Sequence, residues 1–291
     1  MLERNIENFI GCDSDYGESD IVLFGAPFDS TTSYRPGTRF GSRAVRHESY
    51  GLETYSPYQD KDLCDCRIFD SGDIELSMGS SELALEQIAE RTRTILADGK
   101  LPFMVGGEHL VTLGAFREVF ARHPDVHIIH FDAHTDLRDD YLGVKLSHAC
   151  VIRRCHDLAG DGRIHQFGIR SGDRAEFRWA AEGHTQLHKF NFSGLEETVA
   201  ELGTAPVYFT IDLDVLDPSI FPGTGTPEAG GVSFLELLEA IGTVARSCRV
   251  VGCDVNELCP GLDPGGASTA VACKVVRELL LALAKNHSTI L

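Results

Sequence analysis

Eight short runs rich in β-branched and aromatic residues are spaced along the chain, at residues 21–24, 67–69, 102–105, 126–131, 164–167, 186–190, 207–211 and 250–253. Longer stretches with helical spacing separate them. Within residues 82–97, Leu85, Ile88, Thr92, Ile95 and Leu96 recur three or four apart; Val271, Val275 and Leu279 do the same near the end, with Ser268 as the expected N-cap. Such alternation predicts a mainly parallel sheet, because parallel neighbours need a crossover long enough to hold a helix, and helices then cover both faces. A (β/α)8 barrel satisfies the same pattern. In either architecture ligands gather at the carboxyl ends of the strands, where the βα loops converge. No low-complexity linker or fixed-period repeat breaks the pattern, so residues 1–291 are expected to form one domain.

Polar clusters fall where that rule puts them. The run 126–131 leads straight into Asp132-Ala133-His134-Thr135-Asp136, and the run 207–211 into Asp212-Leu213-Asp214. If the chain stays extended there, alternate side chains point to one side. The run ending at Val105 leads into Gly106-Gly107-Glu108-His109, where glycines permit a tight turn that delivers one imidazole. Singly, each piece has an ordinary explanation: an Asp after a strand caps a helix or shapes a turn, and a strand His is a hydrogen-bonded core group. Together they offer four carboxylates and two imidazoles at three strand ends. Four carboxylates gathered without cations would repel, and each pKa would climb. Divalent metals resolve that conflict.

The donor types narrow the metal. Oxygen-dominated ligation with two imidazoles and no thiolate favours Mn2+ over structural Zn2+. Six ligands are too many for one ion that must keep a water, but suit two ions sharing bridging carboxylates. Two ions roughly 3.5 to 4 Å apart ionise a bridging water at neutral pH and orient it for attack, so a hydrolase is expected.

Bulk properties exclude other classes. With 26 basic and 44 acidic residues the formal net charge is -18, the wrong sign for neutralising phosphates, so no nucleic-acid partner is expected. The first seven residues lack a basic region followed by an apolar one. The apolar run at 279–284 is far shorter than the roughly 18 to 20 residues a membrane helix needs. A cytoplasmic location without membrane contact is expected, with the nine cysteines as free reduced thiols. Cys64-Asp65-Cys66 lacks a second matching pair, which argues against a zinc knuckle.

These blocks resemble those of the ureohydrolases, the arginase and agmatinase family. The matching segments are Gly106-Gly107-Glu108-His109, the run from Phe131 to Asp136, the stretch TIDLDVLDPSIFPGTGTPEAGG at 210–231, and Asp254-Val255-Asn256-Glu257. Residues 34–41 and 51–56 make the chain most similar to the bacterial agmatinase branch. The resemblance implies a three-layer αβα fold around an eight-stranded, mainly parallel sheet, and trimeric or hexameric assembly. It also implies that His109, Asp132, Asp136 and Asp212 hold one Mn2+, and Asp132, His134, Asp212 and Asp214 the other, with Asp132 and Asp212 bridging. Ni2+ is the alternative metal.

The implied reaction is attack of a metal-bridging hydroxide on a guanidinium carbon, yielding urea and an amine. By motif position Glu257 would grip the guanidinium through its N–H donors, Thr226 would touch substrate, and His148 would carry the proton to the leaving amine, with Asp136 counted among the catalytic groups. Asp173 is expected either to contact a substrate amine or to cap a helix. The stretch 137–147 lacks the Ser-Gly-Asn pattern with which arginase reads a carboxylate, and its Asp139 and Asp140 would tolerate a distal ammonium. Agmatine is therefore the expected small cationic guanidino substrate. The alternatives are arginine, 4-guanidinobutyrate, 3-guanidinopropionate and guanidine. A one-zinc deacetylase-like amidohydrolase would need fewer ligands, and a non-catalytic metal- or polyamine-binding regulator would be expected to have lost one.

Overall fold

The computed structural model describes residues 2–285. Its strands are β1 (Ile21–Ala26), β2 (Tyr55–Ser56), β3 (Lys61–Asp62), β4 (Ile68–Asp73), β5 (Leu101–Gly106), β6 (His127–Phe131), β7 (Ile164–Ile169), β8 (Gln186–Lys189), β9 (Pro206–Asp212) and β10 (Arg249–Asn256). The helices are α1 (Gly41–Ser49), α2 (Ser81–Ala97), α3 (Val111–Arg122), α4 (Val151–Ala159), α5 (Arg174–Trp179), α6 (Leu195–Leu202), α7 (Phe234–Ser247) and α8 (Ala267–Leu283). All eight expected strands join one sheet, in the order β4-β1-β5-β10-β9-β6-β7-β8. Every neighbouring pair in it is parallel. The sheet has two edges, β4 and β8, so the barrel alternative is set aside.

Strand residues alternate between two cores. Phe103, Val105, Ile129, Phe131, Phe209 and Ile211 face the cluster built with α1, α6, α7 and α8. Met104, Ile128 and Tyr208 face the cluster built with α2, α3 and α4. This arrangement is a three-layer αβα sandwich, and its strands read as unbroken apolar runs because both faces are covered. The hairpin of β2 and β3 has no counterpart in the expected strands. It is tied to α8 instead, where the buried Glu278 accepts from Ser56 Oγ at 2.7 Å and from Gln59 Nε2 at 2.8 Å.

The topology opens a crevice at one end of the sheet. After β5 the chain skips two positions to β6, and β9 and β10 later fill them. The helices following β5 and β6 pack in one core, whereas those following β9 and β10 pack in the other. Loops leaving the central strands therefore part toward opposite faces at their carboxyl ends, which is where ligands bind in open α/β sheets.

Two local expectations change. Ser268 does not cap α8, which starts from Gly266; its hydroxyl bonds Asp263 at 2.7 Å and accepts from Gly223 N at 2.8 Å, fastening the loop of residues 210–231 to the helix. Gly106 and Gly107 serve close approach rather than unusual dihedrals. A Cβ on Gly107 would sit 1.9 Å from the Phe28 carbonyl oxygen, and one on Gly106 would sit 2.0 Å from Asn256 Oδ1. The neighbour of Gly107 is backbone and cannot swing aside. Gly107→Ala should therefore cost at least about 1–3 kcal/mol, as overpacked interiors do. Urea denaturation would show this as a lowered midpoint; an unchanged midpoint would mean the loop after β1 yields freely.

Candidate metal centre

Strand register brings the carboxylates together. Phe131 pairs with Ile211 across β6 and β9, and Asp212 pairs with Asn256 across β9 and β10. Asp132 and Asp212 thus end neighbouring strands, and the Glu257 amide bonds Gly107 O at 3.0 Å beside them. Backbone amides then fix individual carboxylate oxygens. Asp132 Oδ1 accepts from His134 N at 2.5 Å, Asp212 Oδ1 from Asp214 N at 2.8 Å, and Asp214 Oδ1 from Ala133 N at 3.0 Å. Each loop so anchored turns its other oxygen toward the centre.

The extended geometry expected for these loops holds only in part. Residues 213–215 form a 3-10 turn, and Asp136 has φ 52°. Glu257 has φ 69°. Left-handed backbone at non-glycine residues is costly, and two instances at one site mark a place where geometry outranks local comfort.

Both imidazoles point their Nδ1 atoms inward. His109 Nδ1 lies 3.0 Å from Asp132, 3.2 Å from Asp136 and 3.6 Å from Asp212. His134 Nδ1 lies 2.9 Å from Asp214 and 3.5 Å from Asp132. His109 is held from behind, its Nε2 2.8 Å from Thr210 Oγ1, which donates to Asp254 Oδ1 at 2.5 Å. Because Thr210 spends its proton on Asp254, it accepts from Nε2–H, and the Nδ1 lone pair of the neutral ring faces the carboxylates. Among the described residues neither His109 Nδ1 nor Asp214 Oδ2 finds a hydrogen-bond partner, although both are buried. A lone pair aimed at carboxylate oxygens calls for a cation between them, so the donor set fits metal.

Electrostatics says the same. Burial raises Asp136, with Asp132 adding to it, to about 6. Burial and then the charges of Asp214, Asp132 and Glu257 lift Asp212 well above the usual carboxylate range. Burial opposes charge on His109 and His134, yet Asp132 with Asp136 raises the first well above its ordinary value, and Asp214 with Asp132 raises the second. Burial also works against ionised Asp132, but His130, His109 and His134 hold it well below. With protons as the only counter-ions, the cluster must take them up on rings and carboxylates. Two groups of donor atoms sharing Asp132 lie within cation reach, one around His109 and Asp136 and the other around His134 and Asp214. The buried cluster fits a binuclear metal site.

Several supporting residues escaped the sequence reading. His130 is fully buried and places Nε2 2.8 Å from Asp132 Oδ2. Its Nδ1 accepts from Gln166 Nε2 at 3.1 Å, so the proton sits on Nε2 and His130 orients Asp132 rather than offering a lone pair. Arg170 donates to the carbonyl of Asp214 at 2.6 Å and to that of Val215 at 3.2 Å, clamping that turn. Asp254 was visible only as part of a motif. A strand His two residues before an Asp, and an Asp two before an Asn, carry no periodic signal beyond that of the strand itself.

The remaining expected site residues spread around a cavity of about 260 Å³ whose walls include Ser33, His134, Asp136, His148, Asp173 and Thr226. His148 follows the loop after β6; its Nε2 accepts from Ser33 N at 3.2 Å and lies 3.0 Å from Ser33 Oγ. Burial, then the charge on His134 and His109, lowers it to about 4. Glu257 lies deeper, 3% exposed, with Oε1 accepting from His109 N at 2.7 Å. Asp173 caps α5 in a capping box and pairs with Arg138 at 3.0 Å. Asp139 and Asp140 lie outside the cavity walls, since Asp139 is exposed and bonds Arg154 at 2.8 Å while Asp140 holds Gly143 N at 3.0 Å. Of that loop, Arg138 and Tyr141 reach the cavity.

Comparison with known proteins decides the family. Residues 19–282 match the model of the arginase family. The chain belongs to the arginase family. It is 46% identical to an agmatinase of Bacillus subtilis over 279 residues, covering 95% of this chain and 96% of that one. A solved structure of a provisionally named agmatinase from Clostridium difficile superposes with TM-score 0.91 at 51% identity, covering 93% of this chain and 99% of that one. The agmatine ureohydrolase of Thermoplasma volcanium superposes with TM-score 0.87 at 32% identity, over 96% and 94% of the two chains. With these relatives, the chain is an enzyme of the ureohydrolase class, and the three-layer fold expected from the resemblance is the one observed. Among the described residues no helix is long and apolar enough to cross a membrane, and all nine cysteines are unpaired.

Thr210→Val removes the acceptor that sets the His109 tautomer while keeping side-chain volume. It should weaken binding of the cation beside His109 roughly 10–100-fold, the usual cost of losing an outer partner. Competition against a coloured chelator would measure it, and unchanged affinity would remove Thr210 from this role.

Proposed function

We propose that the protein hydrolyses agmatine to putrescine and urea at two Mn2+ ions. One ion would be held by His109, Asp132, Asp136 and Asp212, the other by Asp132, His134, Asp212 and Asp214. The observation that carries the reading is a largely buried His and Asp donor set with Glu257 against it, in a chain nearly half identical to an agmatinase along almost its whole length. When bound, the cations would make water a nucleophile at neutral pH and offset the clustered negative charge.

The protein's own residues set up the rest. Glu257 has one oxygen on the His109 amide, and among the described residues its second takes no hydrogen bond, so it can engage guanidinium N–H groups. Burial and then Glu108 hold its carboxyl well above the usual range, so a guanidinium alongside would be the partner that restores its charge. Asp136 both faces His109 and lines the cavity, where it can orient the attacking water. His148 is neutral, with Nε2 as an acceptor at the cavity wall. It can take a proton from the attacking water and deliver it to the leaving amine. Thr226 lines the same cavity, on the loop clamped by Arg35, whose guanidinium donates to Thr224 O at 3.0 Å and Gly225 O at 3.1 Å.

Agmatine is favoured over a carboxylate-bearing guanidine by the outer wall. Arg138 is matched there by two carboxylates, Asp173 at 3.0 Å and Glu176 at 3.6 Å, so the wall keeps a net negative charge that suits a distal ammonium. Asp173 thus serves as both helix cap and wall charge.

Urea release should be measured with agmatine, arginine, 4-guanidinobutyrate, 3-guanidinopropionate and guanidine, each with Mn2+ and Ni2+. Agmatine with Mn2+ should give the highest kcat/KM; a higher value for a carboxylate substrate would overturn the tail assignment. His148→Ala should lower kcat about 10²- to 10⁴-fold, the worth of a positioned acid-base group, while both metals stay bound. Metal loss in that variant would sink the proton-carrying role.

A further inference from the structure

We propose that His156, Asp161 and His184 form a second, separate cation site that takes a borderline divalent ion such as Zn2+, Co2+ or Ni2+. The donor atoms converge: His156 Nε2 lies 2.8 Å and His184 Nδ1 2.7 Å from Asp161 Oδ1, and all three lie within 4.8 Å of one another. A tetrahedral ion with bonds of about 2.0–2.2 Å places its donors roughly 3.2–3.6 Å apart. Moving both imidazole nitrogens outward from Asp161 by about half an ångström brings those contacts to that spacing, and with the two nitrogens within 4.8 Å of each other a modest adjustment makes a three-ligand pocket. Asp161 is largely exposed, which leaves the fourth position to water. Two imidazoles and a single carboxylate favour this class of ion over Mn2+, whose hard character prefers oxygen donors.

Local sequence explains the convergence and gives it rigidity. Asp161 stands between Gly160 and Gly162, both at positive φ, in the turn that closes α4. Gly183, at φ 102°, bends the chain so that His184 turns back toward α4. Trp179 then fixes both rings. His184 stacks on it at 4.4 Å and 16° between planes, and His156 meets it edge-on at 4.6 Å. Arg153 covers the indole at 3.9 Å. Once Nδ1 of His184 is a ligand, its proton must sit on Nε2, and the Glu182 carboxylate lies 3.9 Å away on that side. At that distance the carboxylate acts by charge, on the side where a ligating histidine usually carries its outer partner. A carboxylate oxygen has room for two N–H donors, so hydrogen bonding alone accounts for each His–Asp contact; the convergence of two imidazoles and a carboxylate on one point, with a tryptophan holding both rings, is what marks a cation site.

The site is distinct from the catalytic one. It occupies the carboxyl end of α4, whereas His148 stands just before that helix begins, roughly 12 Å of helix away. A bound ion would join the end of α4 to the turn after α5, two segments otherwise linked here by side-chain contacts.

Trp179 is the only tryptophan in the chain, which supplies a local reporter. Protein already saturated with Mn2+ should be titrated with Co2+ while tryptophan fluorescence is followed. Wild type should show quenching that saturates at one equivalent. Asp161→Asn, on an exposed turn, and His184→Gln should each shift that transition to at least about tenfold higher Co2+. Circular dichroism of both variants should match wild type. Identical quenching curves in wild type and both variants, or no quenching in wild type, would overturn the proposal.

Discussion

Like charge at close quarters is the constraint on which this molecule depends. The sheet brings four aspartates and Glu257 to the ends of central, adjacent strands, where little of them remains exposed. Carboxylates so placed cannot all remain ionised without positive charge among them. The architecture assumes that charge. Amides hold one oxygen of Asp132, Asp212 and Asp214, Thr210 turns a lone pair of His109 inward, and the backbone accepts left-handed dihedrals at Asp136 and Glu257. A fold that commits so much local geometry to repulsive groups gains from it only when cations are present.

The layers behind the site follow from the same requirement. His130 and Gln166 lie beneath Asp132, Asp254 beneath Thr210, and Arg170 grips the carbonyls of the Asp214 turn. These are strand-borne or strand-adjacent groups, so the rigid sheet, more than the loops, sets ligand spacing. Preorganisation of this kind would serve the proposed reaction, in which a weakly electrophilic guanidinium must meet its nucleophile in a reactive pose.

Much of this was legible in the amino-acid order. The eight strands were readable because buried parallel strands are apolar runs, and the six expected ligands because they fall directly after three of those runs. The hairpin at Tyr55–Ser56 and Lys61–Asp62 was not, since two-residue strands held by Glu278 of a distant helix leave no periodic trace. The outer partners were hidden for a different reason. Thr210 and His130 sit inside apolar runs where a polar residue reads as incidental, and only register reveals what lies behind it. Asp139 and Asp140 misled, because charge in a loop says nothing of direction; the neighbouring Arg138, with Asp173 and Glu176, reaches the cavity instead. The expectation that residues 212–214 stay extended failed because Asp212 caps the turn that follows it.

The central claim is that this carboxylate cluster is built around two cations sharing Asp132 and Asp212. Equilibrium dialysis against Mn2+, with bound metal counted per chain in wild type and in Asp212→Ala, tests it most directly. Two Mn2+ per chain in wild type, both lost or strongly weakened together in the variant, is the predicted result. A single Mn2+ in wild type, or loss of one ion with the other bound as tightly as before, would contradict it.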